Sequence, residues 1–276
     1  MSGAPFAVVE WPQWAQMWSI AFVIYIGCKW LTWQDATVSN VPAWKHCAYL
    51  LAWPGMDAAS FLGAGRATRT AAGDSIELTK AIASIVIGMV LLFVIARVIP
   101  TQHEYVAGWI GMIGLVLILH FGAFHLLSCW WRGRGVEARA LMNRPLASTS
   151  LSEFWGRRWN TAFRDLTHRF LFRPCASWFG TRGGVFAGFL FSGAIHDVVI
   201  SVPARGGYGG PTLFFAIQGA AMVFERSGFG RRIGLGSGSP GRLFTLLVLI
   251  APLGLLFHRP FVVGIIVPFM RALGAL

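Results

Sequence analysis

The chain has 276 residues, of which 55% are hydrophobic and only 12% are charged. A soluble globular protein carries about 25% charged residues, so this composition excludes a soluble enzyme, a soluble nucleic-acid-binding domain and a disordered chain. The net charge of +12 does not indicate nucleic acid, because the basic residues stand between long apolar runs, as in loops that face anionic lipid headgroups. We therefore predict an all-α integral membrane protein that contacts membrane lipids and no nucleic acid.

Eight stretches approach the roughly 20 apolar residues that a membrane-spanning helix needs. They are Met17–Trp33, His46–Leu62, Ala81–Ile99, Val106–Cys129, Gly183–Val202, Pro211–Glu225, Leu243–Phe257 and Phe261–Leu276. The last two are short, and because His258-Arg259-Pro260 separates them they could also form one broken helix. The first stretch lacks the basic region and cleavage site of a signal peptide, so it is predicted to be a retained anchor.

The loops support this count of eight. The connections at 63–80, 130–182 and 226–242 hold seventeen Lys and Arg residues, whereas the alternate connections hold three. Because Lys and Arg collect on the cytoplasmic side, we predict eight spans with both termini in the cytoplasm. The prediction is one membrane-embedded domain over residues 1–276, without the internal repeat of many transporters. The high share of Arg among the basic residues favours a bacterial cytoplasmic membrane.

The segment 130–182 is too long for an ordinary connection between helices, and we expect it to be cytosolic or re-entrant. Ser150 and Glu153 have the spacing of a capping box at a helix start. Apolar residues then recur at 3.6-residue spacing, with Arg157, Arg164 and His168 on the opposite face. The apolar set is Leu151, Trp155, Trp159, Ala162, Phe163, Leu166 and Phe170. This pattern predicts an amphipathic helix in the membrane interface, whose plainest role is anchoring.

Two residues of that helix indicate a role in binding as well as in anchoring. Asn160 falls at the boundary of the apolar arc, and Gly156 lies one turn earlier on the same edge. An amide at this boundary, with a gap beside it, is suited to hydrogen-bond a molecule held between the helix and the membrane.

The fifth predicted span carries an ionisable side chain. Gly184, Gly188, Ser192 and His196 recur every four residues and predict a narrow groove that ends at an imidazole. The glycines alone would indicate close helix packing, but an ionisable group inside a span is a functional candidate by default. Asp197 follows directly and points about 100° away, so it is not automatically the partner of the histidine.

Other chemistries lack their sequence patterns. The four cysteines are scattered without a CxxC pair and predict free thiols rather than a disulfide or zinc framework. His120 and His125 are five residues apart, off the helix faces that would let them share a metal. There are no histidine clusters at iron-binding spacing and no carboxylate cluster for magnesium. We expect no metal and no resident cofactor.

Two stretches resemble a known family. The string from Arg144 to Asn160, RPLASTSLSEFWGRRWN, resembles the signature of the wax synthase-like branch of the membrane-bound O-acyltransferase (MBOAT) family, and Phe191–Asp197, FSGAIHD, is similar to that family's S-G-x-x-H-[ED]. With weaker matches at Pro54–Asp57 and Leu256–Phe261, the resemblance covers roughly residues 45–265. The chain is shorter than most members, and Ala194-Ile195 replaces a bulkier pair, which leaves the acceptor alcohol open.

The resemblance implies an MBOAT-like fold and the transfer of a fatty acyl group from acyl-CoA, as co-substrate, to a lipophilic alcohol, giving a wax or sterol ester. It implies that His196 is the active-site histidine and Asn160 its polar partner. His196 would act as general base, and Asn160 would orient the thioester or stabilise the oxyanion. Further substrate contacts are expected from Trp155, Gly156, Arg157, Arg158, Trp159, Gly188 and Ser192, with the arginines attracting the CoA phosphates and the groove admitting the acyl chain.

Two other functions fit part of the sequence. A small channel or transporter could use His196 as a proton relay, but this leaves the Trp-Gly-Arg-Arg-Trp-Asn stretch unexplained. An idle membrane scaffold predicts that His196 and Asn160 both tolerate alanine. Acyl transfer from labelled acyl-CoA, compared with solute flux in liposomes, separates the enzyme from the transporter.

Overall fold

A computed structural model describes residues 11–63 and 71–276, and within these residues all regular structure is helical. Among the residues described, four helices are long and apolar enough to cross a membrane: Ser75–Val98, Thr101–Gly133, Thr161–Ala204 and Gly238–Leu256. The predicted all-α integral membrane protein is therefore confirmed. The predictions for Arg66, Arg69 and the chain start at residues 1–10 lie outside the described residues.

The described residues in the first half of the chain form six helices. They are α1 (Gln13–Gln34), α2 (Ala43–Ala52), α3 (Ala58–Leu62), α4 (Ala71–Val90), α5 (Glu104–Val116) and α6 (Phe124–Gly133). Helix α4 continues through the π-helical turn Leu91–Ile95 and the 3-10 turn Ala96–Val98, a 3-10 turn at Thr101–His103 precedes α5, and the π-helical stretch Leu117–Ala123 joins α5 to α6. Exposed Ile82, Val86 and Val94 give α4 the apolar outer face of a helix in lipid.

The second half contains ten helices, several of them a single turn. They are α7 (Leu151–Glu153), α8 (Thr161–Thr167), α9 (Arg173–His196), α10 (Val202–Ala204), α11 (Gly210–Glu225), α12 (Gly228–Arg232), α13 (Gly238–Ile250), α14 (Leu253–Leu256), α15 (Arg259–Phe261) and α16 (Val267–Ala272). A 3-10 turn at Pro145–Ala147 precedes α7, and π-helical turns extend α7 (Phe154–Arg158), α8 (His168–Phe172), α9 (Asp197–Ser201) and α15 (Val262–Ile266).

The second predicted span is not one helix. Residues 53–57 separate α2 from α3, because a proline disfavours helical backbone at the residue before it, and Trp53, before Pro54, is extended at φ −139° and ψ 119°. The buried Lys29 stabilises this irregular stretch, since its Nζ donates to the Gly55 carbonyl at 2.7 Å and lies 3.2 Å from the centre of the Tyr49 ring.

The two stretches predicted as the last spans are interrupted between α14 and α15. His258 is extended (φ −65°, ψ 158°) and its ring caps α15, with Nδ1 accepting a hydrogen bond from the Phe261 amide at 3.2 Å. The chain therefore turns between α14 and α15, where Pro260 occupies the first helical turn without losing a backbone hydrogen bond.

The prediction of one continuous amphipathic helix beyond Ser150 is wrong. Helix α7 and its π-helical turn end at Arg158, Trp159 is extended, and Asn160 has left-handed backbone (φ 42°) before α8 begins. Farther along, Gly180 has φ 70° and ψ 174°. Glycine adopts this conformation without a steric penalty, and the kink separates the first turns of α9 from the part that leads to His196.

Part of the apolar set of the segment 130–182 packs inside the protein, whereas Trp130, Leu146, Phe170, Trp178 and Phe179 are exposed. Leu141 and Ala162 belong to a core built around Tyr49, Phe61 and Trp131. Trp155 instead packs against a second core, formed mainly by α5, α11 and the last helices. The segment therefore joins the two cores, because its apolar side chains point to two different helix groups rather than to a single lipid-facing side.

Candidate active site

His196 is the last residue of α9, and its ring is half-buried. Its Nδ1 lies 2.7 Å from the carbonyl oxygen of Ser192, one turn earlier. Since a carbonyl can only accept a hydrogen bond, Nδ1 carries the proton and Nε2 keeps a lone pair. The ring packs against Phe215, with ring centres 4.6 Å apart. This arrangement holds the imidazole in the tautomer that a general base requires.

Asp197 does not pair with His196. Its carboxylate accepts hydrogen bonds from the Ser201 hydroxyl at 2.9 Å, the Gly209 amide at 2.9 Å and the Thr212 amide at 3.0 Å, and also from the Thr212 hydroxyl. Gly209 and Thr212 belong to the turn before α11 and to its start, whereas Ser201 ends the π-helical turn that extends α9. The carboxylate therefore anchors the N-terminus of α11 next to the end of α9, where a negative charge is favourable.

Helix α11 connects His196 to the segment around Trp155. Trp155 packs against Phe215 and Phe189, with both ring-centre distances at 5.6 Å. Its indole Nε1 donates to the buried Gln218 Oε1 at 3.4 Å, and Gln218 Nε2 donates to the Val248 carbonyl at 2.8 Å. Trp155, one of the predicted substrate contacts, is thus separated from the His196 ring by a single phenylalanine.

The other end of α11 positions the start of α7. Glu225 is buried, and its carboxylate accepts from the Leu151 amide at 2.6 Å, the Ser152 amide at 3.2 Å and the Ser152 hydroxyl at 2.7 Å. Neither Glu225 nor Gln218 was predicted from the sequence to have a role. Both are polar side chains in the sixth predicted span, and this position indicates that each must find a buried partner.

The capping box forms in part. Ser150 Oγ accepts from the Glu153 amide at 2.9 Å, as expected, but the Glu153 carboxylate accepts from the Thr149 amide at 2.8 Å rather than from Ser150. It also pairs with Arg158 at 2.6 Å. The Thr149 hydrogen bond, followed by the Arg158 guanidinium, lowers the pKa of Glu153 below its usual value.

Asn160 occupies the break between α7 and α8. Its left-handed backbone places the side chain as the N-cap of α8, with Oδ1 accepting from the Phe163 amide at 3.3 Å. Its own amide donates to Met142 Sδ at 3.2 Å. Among the described residues none accepts a hydrogen bond from Asn160 Nδ2, so this donor remains available to a bound molecule.

The two predicted catalytic residues are not in hydrogen-bonding contact in the described part of the chain. Asn160 follows Trp159, whose ring lies parallel to that of His120 with centres 6.3 Å apart. His196 instead lies beside Phe215. The segment reaches the surroundings of His196 through Trp155, whereas Asn160 lies five residues farther along, in the break between α7 and α8.

A cavity of about 1260 Å³ lies beside this segment. Its described lining contains six basic and four acidic side chains but neither Asn160 nor His196: Lys80, Arg132, Arg139, Arg144, Arg157, Arg164, Asp57, Glu77, Glu137 and Asp165. Three of the arginines are paired, Arg132 with Glu77, Arg139 with Glu137 and Arg164 with Asp165. Lys80, Arg144 and Arg157 have no carboxylate partner among the described residues, so the cavity presents unpaired positive charge.

The two adjacent arginines of the segment differ in environment. Arg157 is exposed and lines the cavity. Arg158 pairs with Glu153 and also donates to the carbonyls of Asn143 and Arg144, both at 3.3 Å. Its guanidinium therefore holds the loop before α7, whereas Arg157 is available to an anion. Lys80 and Arg144 also line the cavity as cations that could bind an anion, although the sequence did not indicate these two as substrate contacts.

The small-residue row of α9 is only partly filled by other helices. A side chain at Gly184 would meet Ala176 and the Phe172 carbonyl at 3.0 Å, whereas one at Gly188 would meet no atom within 4 Å. The tight packing against α11 occurs at Gly193, where a side chain would lie 2.6 Å from the Thr212 backbone. A space therefore remains beside Gly188, two turns before His196. Gly156 is similarly open, and its carbonyl accepts from Arg164 Nη1 at 3.0 Å.

Comparison with known proteins agrees with the resemblance. Residues 138–217, which include Asn160 and His196, match the family described as "Membrane bound O-acyl transferase family". "Probable long-chain-alcohol O-fatty-acyltransferase 3" of Arabidopsis thaliana is 32% identical over 149 residues, which is 48% of this chain and 42% of its own length.

Two further relatives carry related names. The "Long-chain-alcohol O-fatty-acyltransferase" of Simmondsia chinensis is 30% identical over 100 residues, covering 33% of this chain and 28% of its own length. The "Acyl-CoA--sterol O-acyltransferase 1" of Arabidopsis thaliana is 30% identical over 77 residues, covering 25% and 22%. The match thus spans less than half the length of each of these relatives.

Proposed function

We propose that this chain, whose residues 138–217 match the membrane bound O-acyl transferase family, transfers a fatty acyl group from acyl-CoA to the hydroxyl of a lipophilic alcohol. The products are esters of the wax or sterol type. One observation carries the proposal: the segment from Phe154 to Arg158 contributes Arg157 to a basic cavity and Trp155 to the aromatic surroundings of His196. A single stretch of chain thus contacts a site for a charged donor and a site for proton transfer.

The cavity suits the polar part of acyl-CoA. Its volume of about 1260 Å³ exceeds the roughly 300–1,000 Å³ of an ordinary small-ligand pocket. Lys80, Arg144 and Arg157 would bind the phosphates, since charge-assisted hydrogen bonds to phosphate are among the strongest in proteins. Arg158 would act indirectly, because its pairing with Glu153 fixes the loop that carries Arg144.

His196 would act as the general base. Its Nε2 takes the proton as the acceptor hydroxyl attacks the thioester carbonyl, the new ester C–O bond forms, and the C–S bond to CoA breaks. The imidazolium then returns the proton to the CoA thiolate. Such a base contributes about 10²–10⁴-fold in rate, and the hydrogen bond from Nδ1 to Ser192 keeps the ring oriented for it.

Asn160 would supply a donor to the oxyanion that forms on the thioester carbonyl. Its Nδ2 has no acceptor among the described residues, and its backbone is fixed by the cap of α8 and by Met142. A donor held in advance is effective because it costs no reorganisation when charge develops. The space beside Gly188, two turns before His196, would take an aliphatic chain of one of the two substrates.

The membrane topology is part of the proposal. We retain eight crossings with both termini in the cytoplasm of a bacterial membrane. This requires α2 and α3 to cross as a broken pair, which is possible because the irregular stretch between them is covered by protein at Trp53 and Gly55.

Thiol labelling tests this topology. In a chain otherwise free of reactive cysteine, Ser237→Cys should react with an impermeant thiol reagent only from the cytoplasmic side of the membrane, and Arg205→Cys only from the opposite side. Labelling of both from one side would contradict the eight-crossing count.

A direct test uses the purified chain in detergent with labelled acyl-CoA and a panel of long-chain alcohols and sterols. We expect ester formation with at least one acceptor and a loss of about 10²–10⁴-fold in His196→Ala. His103→Ala is the matched control, since His103 is exposed in the turn before α5 and should keep full activity. Full activity in folded His196→Ala, or proton flux in liposomes without any ester formation, would refute the proposal.

A further inference from the structure

Three metal-ligating side chains meet at one end of the cavity. His125 and Cys129 are one helical turn apart on α6, so they share a face, and Glu77 approaches them from α4. The ligand atoms of the three residues all lie within 4.8 Å of one another. Glu77 and His125 also line the cavity, so the cluster is accessible from it.

The environment of His125 points to a missing ligand. Its Nε2 is buried and has no hydrogen-bond partner in the described part of the chain. This atom faces Glu77 Oε2 at 3.7 Å. A buried polar atom without a partner is uncommon and indicates an ion or water that binds there. A tetrahedral zinc ion with bonds of about 2.0 Å to nitrogen and oxygen holds such ligands roughly 3.3 Å apart, so only a small contraction is needed.

Arg132 already occupies part of the space that a cation would take. Its Nη2 donates to Glu77 Oε2 at 2.5 Å and to Cys129 Sγ at 3.3 Å. The guanidinium therefore supplies a positive charge to the partly exposed Glu77 carboxylate. Because Arg132 is long and lines the cavity, its guanidinium can move out into the cavity when another cation binds.

We propose that Glu77, His125 and Cys129 form a site for a borderline-soft divalent cation, with Zn²⁺ as the best match. One thiolate, one neutral imidazole and one carboxylate are the ligand types that zinc takes in proteins, and three protein ligands leave a fourth position open to the cavity. The two negative ligands neutralise the ion, so binding exchanges one cation, Arg132, for another. The arginine competes with the metal in this arrangement.

The test is a zinc titration of the untagged, chelator-treated chain in detergent, against a chromophoric chelator and without acyl-CoA. We expect one zinc per chain, bound at least tenfold more weakly in Cys129→Ser and His125→Ala. Cys175→Ser and His120→Ala are matched controls and should bind as the unchanged chain does. Arg132→Met should bind about tenfold more tightly, because the competing cation is gone.

Cobalt provides an independent signature. Co²⁺ in the same site should show a thiolate charge-transfer band that Cys129→Ser abolishes and Cys175→Ser retains. Zinc binding that is unchanged in Cys129→Ser and His125→Ala, or absent from both the unchanged chain and Arg132→Met, would overturn the site. Since no acyl transfer is measured, these outcomes are independent of the proposed enzymatic activity.

Discussion

The cavity and the surroundings of His196 differ in the side chains that build them. The cavity wall carries ten charged residues, and three of its cations lack a carboxylate partner in the described chain. His196 is surrounded by aromatic rings, with Phe215 in contact and Trp155 and Phe189 behind it. Charge suits the capture of an anionic molecule, whereas an apolar setting keeps an imidazole neutral and excludes water. The two regions are thus suited to two successive tasks, binding and proton transfer.

The segment between Ser150 and Asn160 belongs to both regions. Glu225 on α11 anchors its start, Trp155 faces the aromatic region, and Arg157 faces the cavity. Substitutions in the aromatic region should therefore change kcat, and substitutions in the cavity should change the KM for acyl-CoA. Variants in each region can test whether kcat and the KM for acyl-CoA change separately in this way.

After His196→Ala, the largest effect is expected at Asn160. Asn160→Asp retains an oxygen that can cap α8 and tolerates the left-handed backbone, but it removes the amide donor and adds a negative charge. We expect kcat to fall by about 10²–10³-fold with a melting temperature near that of the unchanged chain, measured by ester formation and thermal unfolding in detergent.

Asn160→Gly is the matched variant, because glycine also adopts left-handed backbone and weakens the helix cap by only a few tenths of a kcal/mol. It should lose activity to a similar extent while folding normally. Wild-type kcat in Asn160→Gly would show that Asn160 acts only as a cap of α8.

A smaller effect is expected in the cavity. Arg157→Gln should raise the KM for acyl-CoA about tenfold, the equivalent of about 1.4 kcal/mol in binding, while kcat stays unchanged. The difference from the unchanged chain should shrink at high salt, because ionic strength screens an exposed charge. Arg173→Gln, an exposed arginine outside the cavity lining, is the control. A fall in kcat without a change in KM would contradict the assignment of Arg157 to donor binding.

The smallest effect concerns pH. The pKa of Glu153 is lowered by the Thr149 amide and Arg158, so its stabilising contribution is present above its unfolded-state pKa and is lost as pH falls through the lower folded-state pKa. Thermal unfolding should show this loss in the acidic range. Glu153→Gln should be less stable near neutral pH and should show less acid sensitivity. An identical pH profile in both proteins would exclude this contribution.

The membrane class and the two motif regions could be predicted from the sequence because they depend on local properties. The length of the apolar stretches predicted the helices around Ile87 and Leu119, and the small residues from Gly184 to Ser192 pointed to the imidazole of His196. The break at Asn160 was missed, because the 3.6-residue spacing of Trp155, Trp159 and Ala162 fits a helix whether or not the backbone continues. Tertiary hydrogen bonds and packing against two separate cores override that periodicity.

The sequence also could not predict hydrogen bonds and ion pairs between residues that are far apart along the chain. Glu225 bonds to residues 73 and 74 positions away, and Glu77 lies on a different helix from Arg132 and His125. Spacing rules relate residues within one helix. They excluded a metal shared by His120 and His125, but they could not predict that Glu77, on another helix, lies beside His125 and Cys129. The same limit hid Gln218 as the partner of Trp155.

The sequence by itself determined that this is a helical membrane protein with an imidazole in one span and an Arg- and Trp-rich segment nearby, because hydrophobic length and residue type are local. Only the tertiary structure decided the proton position on His196, the role of Asp197 as the anchor of α11, and the division of Arg157 and Arg158 between a cavity and a loop. Each of these depends on which atoms meet in the folded chain, within one helix for His196 and Ser192 and between separate elements for Asp197 and Thr212, and that is not set by the order of residues alone.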